Sequence, residues 1–93
     1  MVVVVITWEL SIPGSASLKD KRTVVRSLKD RIRHKFNVSV AETRFQDVWS
    51  RAEITVALVA TDRRFADSVA DSVDRLVAEN GRSVVTSTHR DIY

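Results

Sequence analysis

The chain has 93 residues, of which 44% are hydrophobic and 29% charged, a composition typical of a single soluble globular domain. It contains no cysteine, which excludes disulfides, thiol nucleophiles and zinc sites built on cysteine. The formal net charge is +3, yet residues 17–36 carry eight Lys or Arg against two Asp. We therefore predict one domain, residues 1–93, with an acidic partner for that basic segment.

The chain begins with an apolar run, MVVVVI, which continues as an alternating pattern to about residue 12. Such a pattern is typical of a β-strand. The run is too short to cross a bilayer, and it lacks the basic segment and the cleavage site of a signal peptide. A cytoplasmic location without membrane association is therefore expected.

A first helix is predicted from Ser17 to about Lys35, after the loop PGSA. Ser17 precedes Asp20 by three residues, which resembles a capping box. The spacing of the apolar residues predicts that one face of this helix is buried, with Leu18, Val24, Val25, Leu28 and Ile32.

The rest of the chain is predicted to form two strands, a helix and a last strand, at residues 37–43, 52–61, 62–80 and 83–92. The second helix ends at Asn80-Gly81, a typical C-terminal signal. Its apolar stripe is predicted to contain Phe65, Val69, Val73 and Leu76.

The element order βαββαβ predicts an α+β, ferredoxin-like fold with a four-stranded antiparallel sheet and two helices on one face. The face under the helices is expected to carry the larger apolar residues of the strands, namely Val4, Ile6, Trp8, Val38, Val40, Ile54, Val56 and Leu58. The open face is expected to show a patch of small apolar residues that favours homo-oligomers, comprising Val3, Val5, Ala57, Val59 and Val85.

Five basic residues of the first helix recur at alternating spacings of three and four, which places them along one line of its surface. They span roughly 21 Å at about 1.5 Å per residue, a length that can follow a phosphate backbone. This basic stripe consists of Lys19, Arg22, Arg26, Lys29 and Arg33. The alternative is a solvated helix face that the acidic row of the second helix, Asp67, Asp71 and Asp74, neutralises.

The start of the first helix carries three cations, Lys19, Lys21 and Arg22, which oppose the positive end of the helix macrodipole. A bound anion would reverse this penalty, so we predict a phosphate within reach of Lys19 or Lys21. The alternative is a structural role for Lys21, which projects near the apolar face and could contact a carboxylate such as Glu42 or Glu9.

The connection RFQDVWSR, residues 44–51, interleaves Arg44 and Arg51 with Phe45 and Trp49. Arginine beside aromatic residues suits phosphate contact and base stacking. Closure of the end of the small core by Trp49 or Phe45 is the favoured interpretation. The glycines and stacking aromatics of the RRM signature are missing.

No pattern in the sequence indicates catalysis. His34 and His89 stand alone, and Glu9, Glu42 and Glu53 lie on different strands without a spacing that marks a pair. We therefore expect no enzymatic activity, no cofactor and no metal.

The runs IPGSASLKDKR, FNVSVAE, QDVW and RAEITVALVA resemble the YlxP-like family of small bacterial proteins, over nearly the whole chain. The most distinctive residues are Pro13, Gly14, Ser15, Ser17, Leu18, Lys19, Lys21 and Arg22. The resemblance implies a ferredoxin-like fold. It also implies a function connected with the ribosome or with RNA, because the family's genes commonly lie beside those for translation initiation factor two and ribosome-binding factor A.

The sequence thus favours a non-enzymatic RNA-binding module, acting on ribosomal RNA or in small-subunit assembly. The predicted phosphate contacts are Lys19, Lys21, Arg22, Arg26, Lys29 and Arg33, with Arg44 and Arg51 as weaker additions. The alternative is an oligomeric protein-interaction or ligand-sensing module, whose interface is the open sheet face with Val3, Val5, Ala57 and Val59.

Overall fold

A computed structural model describes residues 1–93 and contains six elements of secondary structure. They are β1 (Val2–Ser11), α1 (Leu18–Lys35), β2 (Ser39–Arg44), β3 (Arg51–Ala60), α2 (Arg63–Ala78) and β4 (Val84–Ile92). The strands form one antiparallel sheet in the order β2-β3-β1-β4. The predicted ferredoxin-like fold is confirmed. Neither helix is long and apolar enough to cross a membrane.

Both helices begin where a side chain caps them. The Ser17 hydroxyl accepts a hydrogen bond from the Asp20 N–H at 3.1 Å, and the Asp20 carboxylate accepts one from the Ala16 N–H. Asp62 caps α2 by accepting from the Arg64 N–H at 3.1 Å. These bonds satisfy N–H groups that a helix start otherwise leaves free, so they fix where each helix begins.

The core lies between the helices and one face of the sheet. On the sheet side, the core residues are mainly alternate residues of β1 and β3, two strands that pair along their full length. On the helix side, they come from both helices. Trp8 is 0% exposed, and its indole N–H donates to the Asp74 carboxylate at 2.7 Å. All eight strand residues predicted for this face are buried or packed against the core.

Two apolar residues differ from their predicted positions. Phe65 is 61% exposed, because Ala66 and Ala70 form the inner stripe of α2 together with Val73 and Leu76. Val85 pairs with Leu10 and packs against the core, not on the open face. The cause is a shift of register between β1 and β4 at Glu9/Leu10, because a bulge moves the following side chains to the other face.

The open face of the sheet is apolar at one end and polar in the middle. At the apolar end, Val3 lies between Val59 and Tyr93, and in the next row Val5 lies between Ala57 and Asp91. Val59 is 69% exposed, whereas the other predicted interface valines and Ala57 are half-buried. The polar middle consists of a hydroxyl chain in which the Thr55 oxygen lies 3.2 Å from that of Thr7 and 2.8 Å from that of Thr43.

Candidate nucleic-acid interface

The basic stripe lies on the surface of α1 and is mostly free of carboxylates. Lys19, Arg22 and Arg26 are exposed, Lys29 is half-buried, and none of these four contacts an Asp or Glu. Arg33 differs, because its guanidinium lies 3.6 Å from the Asp30 carboxylate and donates to the Val40 carbonyl at 3.2 Å. The stripe therefore offers four uncompensated cations and one that is partly engaged.

The acidic row of α2 makes no direct ion pair with the basic stripe. Its three carboxylates contact other groups: Asp67 pairs with Arg63, Asp71 with Arg90, and Asp74 accepts from Trp8. None of the seven ion pairs in the molecule joins the two helices. The alternative in which direct pairs between the helices cancel the charge is wrong.

Lys21 is buried and has a structural role, so its predicted phosphate contact is wrong. The side chain is 0% exposed, and its ammonium group donates to the Phe45 carbonyl at 2.5 Å and to the Gln46 carbonyl at 3.3 Å. The same nitrogen lies 2.6 Å from Oε2 of Glu42. That oxygen is buried and makes no hydrogen bond of good geometry, so the adjacent ammonium charge is what compensates it.

The connection between β2 and β3 is shaped around Phe45. This residue has a φ of 64°, a left-handed conformation that costs a residue other than glycine about 1–2 kcal/mol. Its carbonyl accepts hydrogen bonds from Lys21 and from the Val48 N–H, which hold the turn in place. The guanidinium carbons of Arg44 and Arg51 lie 4.8 and 4.0 Å from the centre of its ring.

Arg44 and Arg51 are already paired within the sheet. Glu9 and Glu53 lie directly opposite each other on β1 and β3, an arrangement of like charges that destabilises a sheet. Arg51 pairs with Glu9, and Arg44 lies 4.0 Å from the Glu53 carboxylate. These two arginines therefore offset the like charges of the glutamates, although Arg44 remains 66% exposed, so both stay weaker candidates for a phosphate contact than the basic stripe.

Trp49 does not close the core, contrary to the favoured interpretation. It is 48% exposed and is neither a core residue nor one of the partly buried side chains that pack against the core. Phe45 is half-buried under the two guanidinium groups. The residue types of this loop could be interpreted from the sequence, but they did not indicate which aromatic residue faces solvent.

A groove of about 880 Å³ between α1 and α2 was not predicted. Phe36 and Leu76 are its apolar lining residues, and its polar lining carries both signs of charge: Asp30, Arg31, His34, Lys35, Ser72, Arg75 and Glu79. Arg31 is partly engaged, because it donates to the Asn80 side-chain oxygen at 3.1 Å. The mixed charge makes this groove a weaker phosphate site than the basic stripe.

Of the residues considered for catalysis, only Glu9 and Glu53 lie together, directly opposite each other. Glu42 contacts Lys21 beneath α1, whereas Glu9 and Glu53 lie on the open face with their arginines. His89 lies 3.0 Å from the Asp91 carboxylate, and His34 lines the groove between the helices. The chain contains no group of three or more His, Cys, Asp or Glu residues that could hold a metal ion.

Comparison with known proteins identifies one family and several solved structures with a similar fold. A family model described as "Protein of unknown function (DUF503)" matches residues 3–90. The uncharacterized protein YlxP of Bacillus subtilis strain 168 is 40% identical over 55 residues, which cover 59% of this chain and 60% of that relative. The match thus spans less than two thirds of the relative's length.

Solved structures with a similar fold have very different sequences. A de novo designed protein with a ferredoxin fold is 14% identical, with a TM-score of 0.59 over 99% of this chain and 85% of its own. SnoaB, a cofactor-independent oxygenase from Streptomyces nogalater, is 9% identical, with a TM-score of 0.56 over 98% of this chain and 90% of its own. At these identities the likeness is one of fold alone.

Proposed function

This chain belongs to the DUF503 family, which includes YlxP-like proteins, and we propose that it is a non-enzymatic RNA-binding module that contacts phosphates through α1. The contacts come from Lys19, Arg22, Arg26 and Lys29, with a smaller share from Arg33. The resemblance to the YlxP-like family, with its gene neighbours in translation, favours ribosomal RNA or an assembling small subunit in the cytoplasm.

The observation that supports this proposal is the row of cations without carboxylate partners on one side of α1. From Lys19 to Lys29 the row spans about 15 Å along the helix. Like charges three or four residues apart lower helix stability, and mixed signs would serve a purely structural helix better. A chain of phosphates supplies the missing negative charge at repeated positions.

Contacts of this kind position a protein on RNA without reading its sequence. Each neutralised phosphate releases condensed counterions, so the logarithm of the affinity falls by about 0.7 per contact for each tenfold rise in salt on a single strand. Four contacts therefore predict a slope of roughly −3. Little preference for one RNA sequence over another is expected from the stripe itself.

The experiment that tests the proposal compares Arg26→Gln with Arg64→Gln. Both arginines are exposed and neither guanidinium pairs with a carboxylate, but Arg64 lies in the first turn of α2. Titration of one synthetic RNA at several salt concentrations should show a slope about 0.7 smaller in magnitude for Arg26→Gln and unchanged for Arg64→Gln. Equal slopes in the wild type and Arg26→Gln would contradict a phosphate contact by the stripe.

A second candidate function is self-association through the apolar end of the open sheet face. Val59 and Tyr93 are both largely exposed and flank Val3 on neighbouring strands, which leaves an apolar patch without a cover. This favours an oligomeric protein-interaction or ligand-sensing module as the alternative to RNA binding.

Val5 occupies the second row of this patch, so Val5→Glu places a charge inside any interface formed there. We expect this variant to sediment as a smaller species than the wild type while keeping its circular dichroism spectrum. Sedimentation of the wild type as a monomer at high micromolar concentration would exclude this second candidate.

A further inference from the structure

We propose that Trp49 is a stacking platform for an unpaired RNA base, so that the RNA bound by this protein is single-stranded or looped instead of a continuous duplex. The inference rests on the proposed function and adds the class of RNA to it. It concerns the loop of residues 44–51, which joins β2 to β3, and not the basic stripe.

The first argument is the exposure of the indole. Trp49 is 48% exposed, whereas Trp8 is 0% exposed and lies in the core. Trp49 also lies outside the clusters of side chains that form or pad the core. A large aromatic side chain that its own chain covers only in part offers a flat surface on which any base can stack.

The second argument is that the loop is held in one shape. Lys21 donates to the carbonyls of Phe45 and Gln46 from beneath, and the Val48 N–H donates to the Phe45 carbonyl at 3.0 Å. On the other side of Trp49, the Ser50 carbonyl accepts from the Ile12 N–H at 2.9 Å. Backbone bonds therefore fix the segment on both sides of the indole, which lowers the entropy lost when a base stacks on it.

The third argument is the position of the loop beside the start of the basic stripe. Lys21 belongs to the first turns of α1, between Lys19 and Arg22, and its ammonium group contacts the loop directly. The loop that carries Trp49 therefore lies at the same end of α1 as Lys19, where the stripe begins. The stripe would hold the phosphates, and the indole would accept a base.

The charges of the loop indicate that it does not share the phosphate-binding role of the stripe. Arg44 and Arg51 are matched by Glu53 and Glu9, and Asp47 adds a negative charge without an ion-pair partner. The loop therefore supplies stacking surface and no excess positive charge. A stacked base must be free of its partner strand, because bases inside a duplex are covered on both faces.

The test measures binding of a short single-stranded RNA and of the duplex formed by that RNA with its complement. Trp49→Ala should weaken binding of the single strand by about 5- to 100-fold, with the same salt slope as the wild type. Binding of the duplex should not change, and Trp49→Phe should keep most of the single-strand affinity. Thermal melting should be close to that of the wild type, because the indole is outside the core.

Fluorescence provides a second readout in the wild type. Trp8 is buried, so iodide should quench mainly Trp49, and bound single-stranded RNA should protect it. The inference would be overturned if Trp49→Ala bound both RNAs like the wild type while Arg26→Gln still lowered the salt slope. Unchanged slopes in Arg26→Gln would instead show that the proposed function itself is wrong.

Discussion

Replacing Lys21 with Met is expected to lower the free energy of unfolding by about 3–5 kcal/mol, because it breaks a buried ion pair by removing one partner. The Glu42 side chain is only 16% exposed and would lose the cation that lies 2.6 Å from its carboxylate. The carbonyls of Phe45 and Gln46 would lose their shared donor as well. The loss should appear as a lower midpoint in urea-induced unfolding.

Lys19→Met is the matched control, since it makes the same change two residues earlier on an exposed side chain. This control should change stability by no more than about 0.5 kcal/mol. Lys21→Met combined with Glu42→Gln should recover part of the loss, because the uncompensated charge is then absent. Equal stability of the two single variants would show that Lys21 is not buried as described.

The faces of the strands could be predicted from the sequence because side chains alternate along a strand. Val4, Ile6 and Trp8 lie in the core for this reason, and their odd-numbered neighbours lie on the open face. Val85 was placed on the wrong face because the shift of register at Glu9/Leu10 leaves no signal in the sequence. A bulge depends on how two distant strands meet.

The basic stripe could also be predicted, because the helical period alone fixes which residues share a line. That four of its five cations have no carboxylate partner could not be predicted, since this depends on where α2 lies. Asp71 and Asp74 are engaged by Arg90 and Trp8, which belong to strands distant in sequence. Helical geometry placed Lys21 beside the apolar face, but only the fold brings Glu42 and the Phe45 carbonyl to its ammonium group.

The loop of residues 44–51 was the least predictable part of the candidate site. Phe45 adopts a positive φ although it is not glycine, and nothing in the local sequence marks it. This conformation is held by Lys21 and by two stacked guanidinium groups, which are contacts made by the folded chain. The exposure of Trp49 follows from that shape, which explains why the residue types indicated aromatic character but not accessibility.

The proposed function requires that RNA binds to the stripe and is not held merely by the net positive charge of the protein. Two variants with the same net charge separate these cases. One changes the four unpaired stripe residues to glutamine, at Lys19, Arg22, Arg26 and Lys29. The other changes four cations that also contact no carboxylate but lie elsewhere, at Lys35, Arg64, Arg75 and Arg82. Thermal melting of both variants checks that the loss of the long side-chain stems leaves the fold intact.

The affinity of these two variants for one synthetic single-stranded RNA is the most direct test. At about 0.1 M salt, loss of four phosphate contacts should weaken binding on the order of 1,000-fold and reduce the salt slope from roughly −3 to near zero. The affinity of the control variant should stay within about 10-fold of the wild-type value, and most of the salt slope should remain. The reason is that the four cations removed in the control do not contact RNA and act on it only at a distance, where salt screens them. Equal losses in the two variants, or no loss in either, would contradict the assignment of the basic stripe as the RNA-binding surface.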